Sequence, residues 1–228
     1  MKSKALQVSF DIYMRKIGVW LMWYLVFYVF LYAGAYFVPL IINIEWGLRE
    51  IEWTFVEGIR NSANVFFLIS GILSMGGFLK YYISNGITRK DYYGGVVVSA
   101  VALSISLSVL VALISVVDAL FFSELSTLSI VYFIQLPLEL LLFYFLGWFI
   151  VAGFYKFNTW IGIIFIILAF GVVMVHGGLW GEEIQLPLFN TVIFEQQNTP
   201  VALLITIIIT VILAWLVRIM TKHVRVKV

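Results

Sequence analysis

Six long apolar runs separated by shorter polar segments set the rhythm of this chain, at about residues 18–44, 62–78, 95–117, 128–154, 159–175 and 200–219. A hydrocarbon core of ~30 Å takes about 20 apolar residues per helix, so each run predicts one transmembrane helix. Residues 3–17 follow a different pattern. Leu6, Phe10, Tyr13 and Ile17 recur at helical spacing, and Lys4, Gln7, Asp11 and Arg15 take the other side. Asp11 and Arg15 also stand at a favourable i,i+4 spacing. This predicts an interfacial helix along the membrane surface. The expected fold is all-α integral membrane: an N-terminal interfacial helix plus six transmembrane helices, in a single domain over residues 1–228, with both termini cytoplasmic.

Charge supports that arrangement. Lys2, Lys4, Arg15, Lys16, Lys80, Arg89, Lys90, Lys156, Arg218, Lys222, Arg225 and Lys227 fall on the side of both termini, which is 12 of the 14 basic residues. Arg49 and Arg60 fall on the other side. Cytoplasmic loops carry such an excess of Lys and Arg. Only 11% of residues are charged and mean hydropathy is +1.07, which excludes an ordinary water-soluble domain. The first run is too long for a signal-peptide core and continues past Ala33-Gly34-Ala35, so it reads as an uncleaved span. Of the outer segments, 45–60 carries a stripe of Leu48, Ile51, Phe55 and Ile59 and predicts an amphipathic helix. Segment 176–199 is the longest and is apolar enough over 186–194 to dip into the interface. The outer segments hold nine acids against two bases. Ala100, Ser104, Ser108 and Ala112 form an i,i+4 row that admits a close helix neighbour, most simply within one subunit. Absence of cysteine excludes a disulfide framework.

The stretch 79–93 carries the most information. It is a short basic interruption with Lys80, Arg89 and Lys90 at its centre, flanked by the pairs Tyr81-Tyr82 and Tyr92-Tyr93. Asn85-Gly86 predicts a turn, since both residues tolerate positive φ. Thr88 and Asp91 have capping-box spacing, so a helix is expected to start there. Gly76-Gly77 offers a bend just before it. A plain connecting turn explains the capping, though not the tyrosine pairs.

Chemistry is sparse. Gly71 and Gly76 have Walker A spacing, but Gly77-Phe78 follows where Lys and Ser or Thr are needed, so this chain by itself hydrolyses no nucleotide. His176 and His223 fall on opposite sides and cannot share a metal. Glu182-Glu183 lacks the arginine and histidines that a metal-dependent intramembrane protease needs. No enzyme activity and no metal site are expected. Glu139, about ten residues into the fourth span, is costly in a bilayer and is expected to face the protein interior. With Gln135 one turn earlier and Pro137 between, it either lines a substrate or proton pathway or pins helix packing as a protonated or Gln135-bonded carboxyl.

A surface helix, six spans and the loop Asn85-Gly86-Ile87-Thr88-Arg89-Lys90 together resemble the permease subunits of bacterial ATP-binding-cassette exporters, most closely the small six-helix type. The resemblance implies a cytoplasmic-membrane protein whose loop couples to a separate ATPase through Lys80, Tyr81, Tyr82, Asn85, Gly86, Thr88, Arg89, Lys90 and Asp91. It also implies a second permease subunit, identical or homologous, and ATP with Mg in the partner ATPase. The expected substrate is hydrophobic or amphipathic, in the manner of peptide export or antimicrobial resistance. Segment 176–199 resembles the family's re-entrant helices. The large outer domain of the bigger relatives is absent. A six-helix secondary transporter or channel, or a noncatalytic immunity or scaffold protein, are the alternatives. No nucleic-acid partner is expected.

Overall fold

In the computed structural model, residues 3–42, 55–121, 130–181, 183–184, 192–193 and 197–222 are described. The expectations for segments 45–54 and 122–126, for most of 182–196 and for the tail lie outside them. Helices α1 (Lys4–Asp11) and α2 (Ile17–Ile42) are joined by a π-helical turn, Ile12–Lys16. Helix α3 (Phe55–Leu73) continues through a second π-helical turn, Ser74–Phe78, into α4 (Leu79–Ser84). Then come α5 (Arg89–Phe121), α6 (Ile130–Lys156), α7 (Thr159–Trp180) and α8 (Thr199–Lys222). A two-residue antiparallel ladder, β1 (Glu183–Ile184) with β2 (Val192–Ile193), lies between the last two helices. Six helical stretches are long and apolar enough to cross a membrane: Lys4–Leu31, Gly58–Ser84, Arg89–Val116, Val131–Lys156, Thr159–Trp180 and Thr199–Lys222. This fits a multi-pass membrane protein.

Helix α6 is the hub. It packs on α3, α5, α7 and α8, and Leu140, Tyr144, Leu146 and Trp148 along it are fully buried. It meets α3 at very close range. A Cβ on Gly71 would stand 1.9 Å from the Tyr144 carbonyl oxygen, and one on Gly147 would stand 2.0 Å from that of Leu68. Only glycine lets the two backbones approach so far, as small residues do between membrane helices.

The N-terminal segment departs from the expected surface helix. Residues 4–42 are continuously helical, and α1 runs along α5 rather than across its end. Val8 fits against Gly95, where a Cβ would meet it at 2.7 Å, and Tyr13 hydroxyl shares a 2.7 Å hydrogen bond with Ser106. The buried face is therefore Val8, Ile12 and Ile17, while Leu6 and Phe10 of the expected stripe are exposed. The close approach that Gly95 allows decided this, and it is invisible to helical periodicity within residues 3–17.

Other boundaries shift for a similar reason. Residues 55–60, expected in an outer amphipathic helix, open α3 instead, and 79–84, expected as loop, close α4. Residues 176–180, expected in the outer segment, complete α7, which ends where Gly181 turns left-handed at φ +71°. The small row on α5 packs internally: Ala100, Ser104 and Ser108 are buried, and both serine hydroxyls donate to carbonyls of their own helix.

Candidate functional site

The site builds from the turn between α4 and α5. Ile87 N–H donates to the Tyr82 carbonyl at 3.1 Å and Gly86 N–H to that of Ile83 at 3.0 Å, with Gly86 at φ +76°. This is a Schellman closure with glycine in the left-handed position. Of the Asn85-Gly86 pair, only Gly86 uses positive φ; Asn85 keeps φ at −91° and donates its side-chain amide to the Tyr81 carbonyl at 2.7 Å. Thr88 then opens α5. Its hydroxyl accepts the Asp91 N–H at 3.1 Å and donates to the Asp91 carboxylate at 2.7 Å. Stop and start signals follow each other within four residues, so the hairpin is short and closed by local hydrogen bonds.

The termini close on this turn. Lys4 ammonium donates to the Gly86 carbonyl at 3.3 Å, and Lys16 ammonium stands 4.5 Å over the Tyr81 ring. Tyr82 is buried, donates to Asp11 at 2.6 Å and lies against the Tyr92 ring at 5.4 Å. From the C-terminal side, the Lys222 carbonyl accepts from the Arg89 guanidinium at 2.8 Å, and the Ala214 carbonyl from Tyr93 hydroxyl at 2.7 Å. Lys80, Tyr81 and Lys90 remain exposed. Sequence reasoning missed Lys4, Asp11, Lys16, Arg218 and Lys222 as neighbours of this turn. Their shared side was legible from charge, but their contacts were not. The tyrosine pairs divide between roles: Tyr82 and Tyr92 are core, Tyr93 ties α5 to α8, and Tyr81 alone faces outward.

Above the turn, the π-helical residues Ser74–Phe78 disrupt the regular bonding of α3, and tyrosines fill in. Tyr92 hydroxyl donates to the Ser74 carbonyl, and Tyr155 hydroxyl to that of Gly76 at 3.3 Å. Gly76-Gly77, expected to bend the chain, lies within this π-helical turn, and the tyrosines bond its freed carbonyls.

Glu139 lies elsewhere, on the α3–α6 interface. It is 3% exposed. Its carboxylate accepts from Arg60 Nε at 2.8 Å and from Asn64 Nδ2 at 2.5 Å. Arg60, placed by the sequence pattern in an outer segment, is on the second helical turn of α3 with its side chain 19% exposed. Among the described residues Glu139 is joined to Arg60 and Asn64 rather than to Gln135, which is buried beside it on α6. Arg60 and Asn64 stand i,i+4 at the start of an apolar run and so share one face, but nothing local says which helix that face meets. His176 is buried on α7 near the Trp180 ring, at 6.4 Å, and His223 lies outside the described residues.

No protein-family model, no curated protein and no solved structure matches this chain.

Proposed function

We propose that this chain is the transmembrane subunit of an ATP-driven exporter of the ATP-binding-cassette type, working with separate ATPase subunits and a second permease subunit in the bacterial cytoplasmic membrane. The observation that carries the reading is the hairpin over 79–93. It is basic and stiff, and both terminal helices are hydrogen-bonded to it. A short rigid element at a membrane surface suits transmission of motion from an ATPase into α3 and α5. ATP binding would close the two ATPases, and the turn would pass that displacement along α4 into the tightly packed α3–α6 pair. ATP and Mg belong to the partner. The cargo class is hydrophobic or amphipathic, a peptide or antimicrobial being favoured by the acidic, aromatic composition of the outer segments.

The Arg60–Glu139 pair weighs against the secondary-transporter alternative. A carboxylate already held by a guanidinium and an amide is a packing element first, and the pathway role of Gln135 and Glu139 stands as the second reading.

Co-purification tests the proposal. Arg89 also ties α5 to α8, so its replacement would confound the result. Lys80→Glu with Lys90→Glu reverses two exposed charges and leaves every hydrogen bond of the turn in place. The tagged wild-type chain is expected to retain an ATPase subunit when purified from its native membrane, and the double variant to lose it while still inserting. Retention of the ATPase by the double variant sinks the coupling role. Stimulation of ATP hydrolysis by cationic amphipathic peptides, and not by sugars, is the expected cargo result.

A further inference from the structure

A cleft of about 320 Å³ opens between the first turns of α5 and the last turns of α8, lined by Arg89, Lys90, Tyr93, Arg218, Thr221 and Lys222. Four cations surround it. Among the described residues the ion pairs are Asp11–Arg15 and Arg60–Glu139, so no carboxylate neutralises any of the four within 4 Å. The nearest acid on the same turn, Asp91, is engaged by Thr88. Arg89 gives one N–H to the Lys222 carbonyl and keeps the rest of its fork. Arg218 stands 5.6 Å over the Tyr93 ring, whose hydroxyl is turned into α8. Thr221 is buried at the back, its hydroxyl donated to the Val217 carbonyl at 2.7 Å. The rim is thus cationic, while the Tyr93 ring and the methyl of Thr221 make the inside apolar.

Position decides what such a cleft is for. α5 and α8 are both long and apolar enough to span a membrane, and the cleft lies where both reach the basic end of the bundle. The α5 N-terminus adds its partial positive charge, partly offset by the α8 C-terminus. Unpaired cations above an apolar floor fit one chemistry: a phosphate joined to an acyl chain. We propose that this cleft binds the phosphate of an anionic phospholipid headgroup, with Arg218 and Lys222 as its principal ligands. Basic pockets between membrane helices hold anionic headgroups in this way, and guanidinium groups supply the directional part of the contact. The proposal requires only that the basic end lies at a membrane surface, and is independent of an ATPase partner. A lipid held here would brace α8 against α5 beside the α4–α5 turn.

Native mass spectrometry of the purified full chain tests it, with separate titrations of phosphatidylglycerol, phosphatidylcholine and inorganic phosphate. Phosphatidylglycerol is expected to bind more tightly than phosphatidylcholine. Arg218→Gln with Lys222→Gln should weaken it roughly thirtyfold, from about fivefold per basic side chain at an anionic surface. Both side chains are exposed, so folding should be unaffected, and the charge-preserving pair Arg218→Lys with Lys222→Arg should bind within about threefold of wild type. Lys80→Gln with Lys156→Gln removes two charges of the same end outside the cleft and should cost less than about threefold. An equal loss in that control means diffuse attraction and overturns the site, as does equal affinity for phosphatidylcholine. Displacement of the lipid by inorganic phosphate at matched concentration overturns the lipid source in favour of a soluble anion.

Discussion

At the scale of single residues, Glu139 shows how an isolated acid in an apolar run acquires its meaning. Alone it is an expensive charge. Set against Arg60 and Asn64, it becomes a hydrogen-bonded pair between two helices. Glu139→Ala removes the carboxylate from a mostly buried guanidinium, and such a break costs about 3–5 kcal/mol. A marked fall in the thermal midpoint in detergent is expected, larger than for Glu139→Gln, which can still accept one bond. Arg60→Ala should fall in the same direction, and the double alanine variant should cost less than the sum, because the two side chains share one interaction. Unchanged stability with altered transport would instead move Glu139 into a substrate pathway. Gly86 makes a simpler case. Its φ of +76° costs an L-residue roughly 1–2 kcal/mol, so Gly86→Ala should loosen the α4–α5 turn by about that amount in hydrogen exchange.

At the scale of elements, the α3–α6 contact is the one on which the bundle depends. Gly71→Ala and Gly147→Ala each place a methyl within about 2 Å of a facing carbonyl, and neither backbone can yield without separating the helices. Both should lower the thermal midpoint sharply. Gly94→Ala meets only Ala5 Cβ at 3.8 Å, an ordinary contact, and should be near neutral. If Gly71→Ala and Gly147→Ala are as neutral as Gly94→Ala, the gain in helix propensity offsets the methyl and close approach is not what holds α3 to α6. The continuous helix 4–42 belongs to this scale too. Its first residues pack along α5, where Gly95 leaves room for Val8.

At the scale of the whole molecule, one end gathers nearly all the basic charge of the described residues, with the first turn of α1, the last turn of α8 and the α4–α5 turn beside it. The proposed orientation places that end in the cytoplasm. The chain has no cysteine, which allows a clean test. An impermeant thiol reagent on intact cells should label Gln197→Cys, and should reach Lys80→Cys and Phe157→Cys only after lysis. The opposite labelling would invert the topology and remove the turn from any cytosolic partner.

Much was legible without coordinates, and for definable reasons. Apolar runs long enough to span a bilayer are a one-dimensional signal, as are the stop at Gly86 and the start at Thr88, because each depends on residues within a few positions of one another. What residues 3–17 pack against, which helix neutralises Glu139, why Gly71 and Gly147 must be glycine, and that Arg89, Lys90, Arg218 and Lys222 surround one cleft were decided only by the tertiary structure. Each pairs positions far apart in the chain, such as Arg60 with Glu139 or Arg89 with Lys222. In a chain this apolar, hydrophobicity is nearly uniform from helix to helix, so it determines which residues enter the membrane and carries almost no information about which helix meets which. Close backbone approach and a few buried polar groups make that choice, and they exist only once the helices are packed.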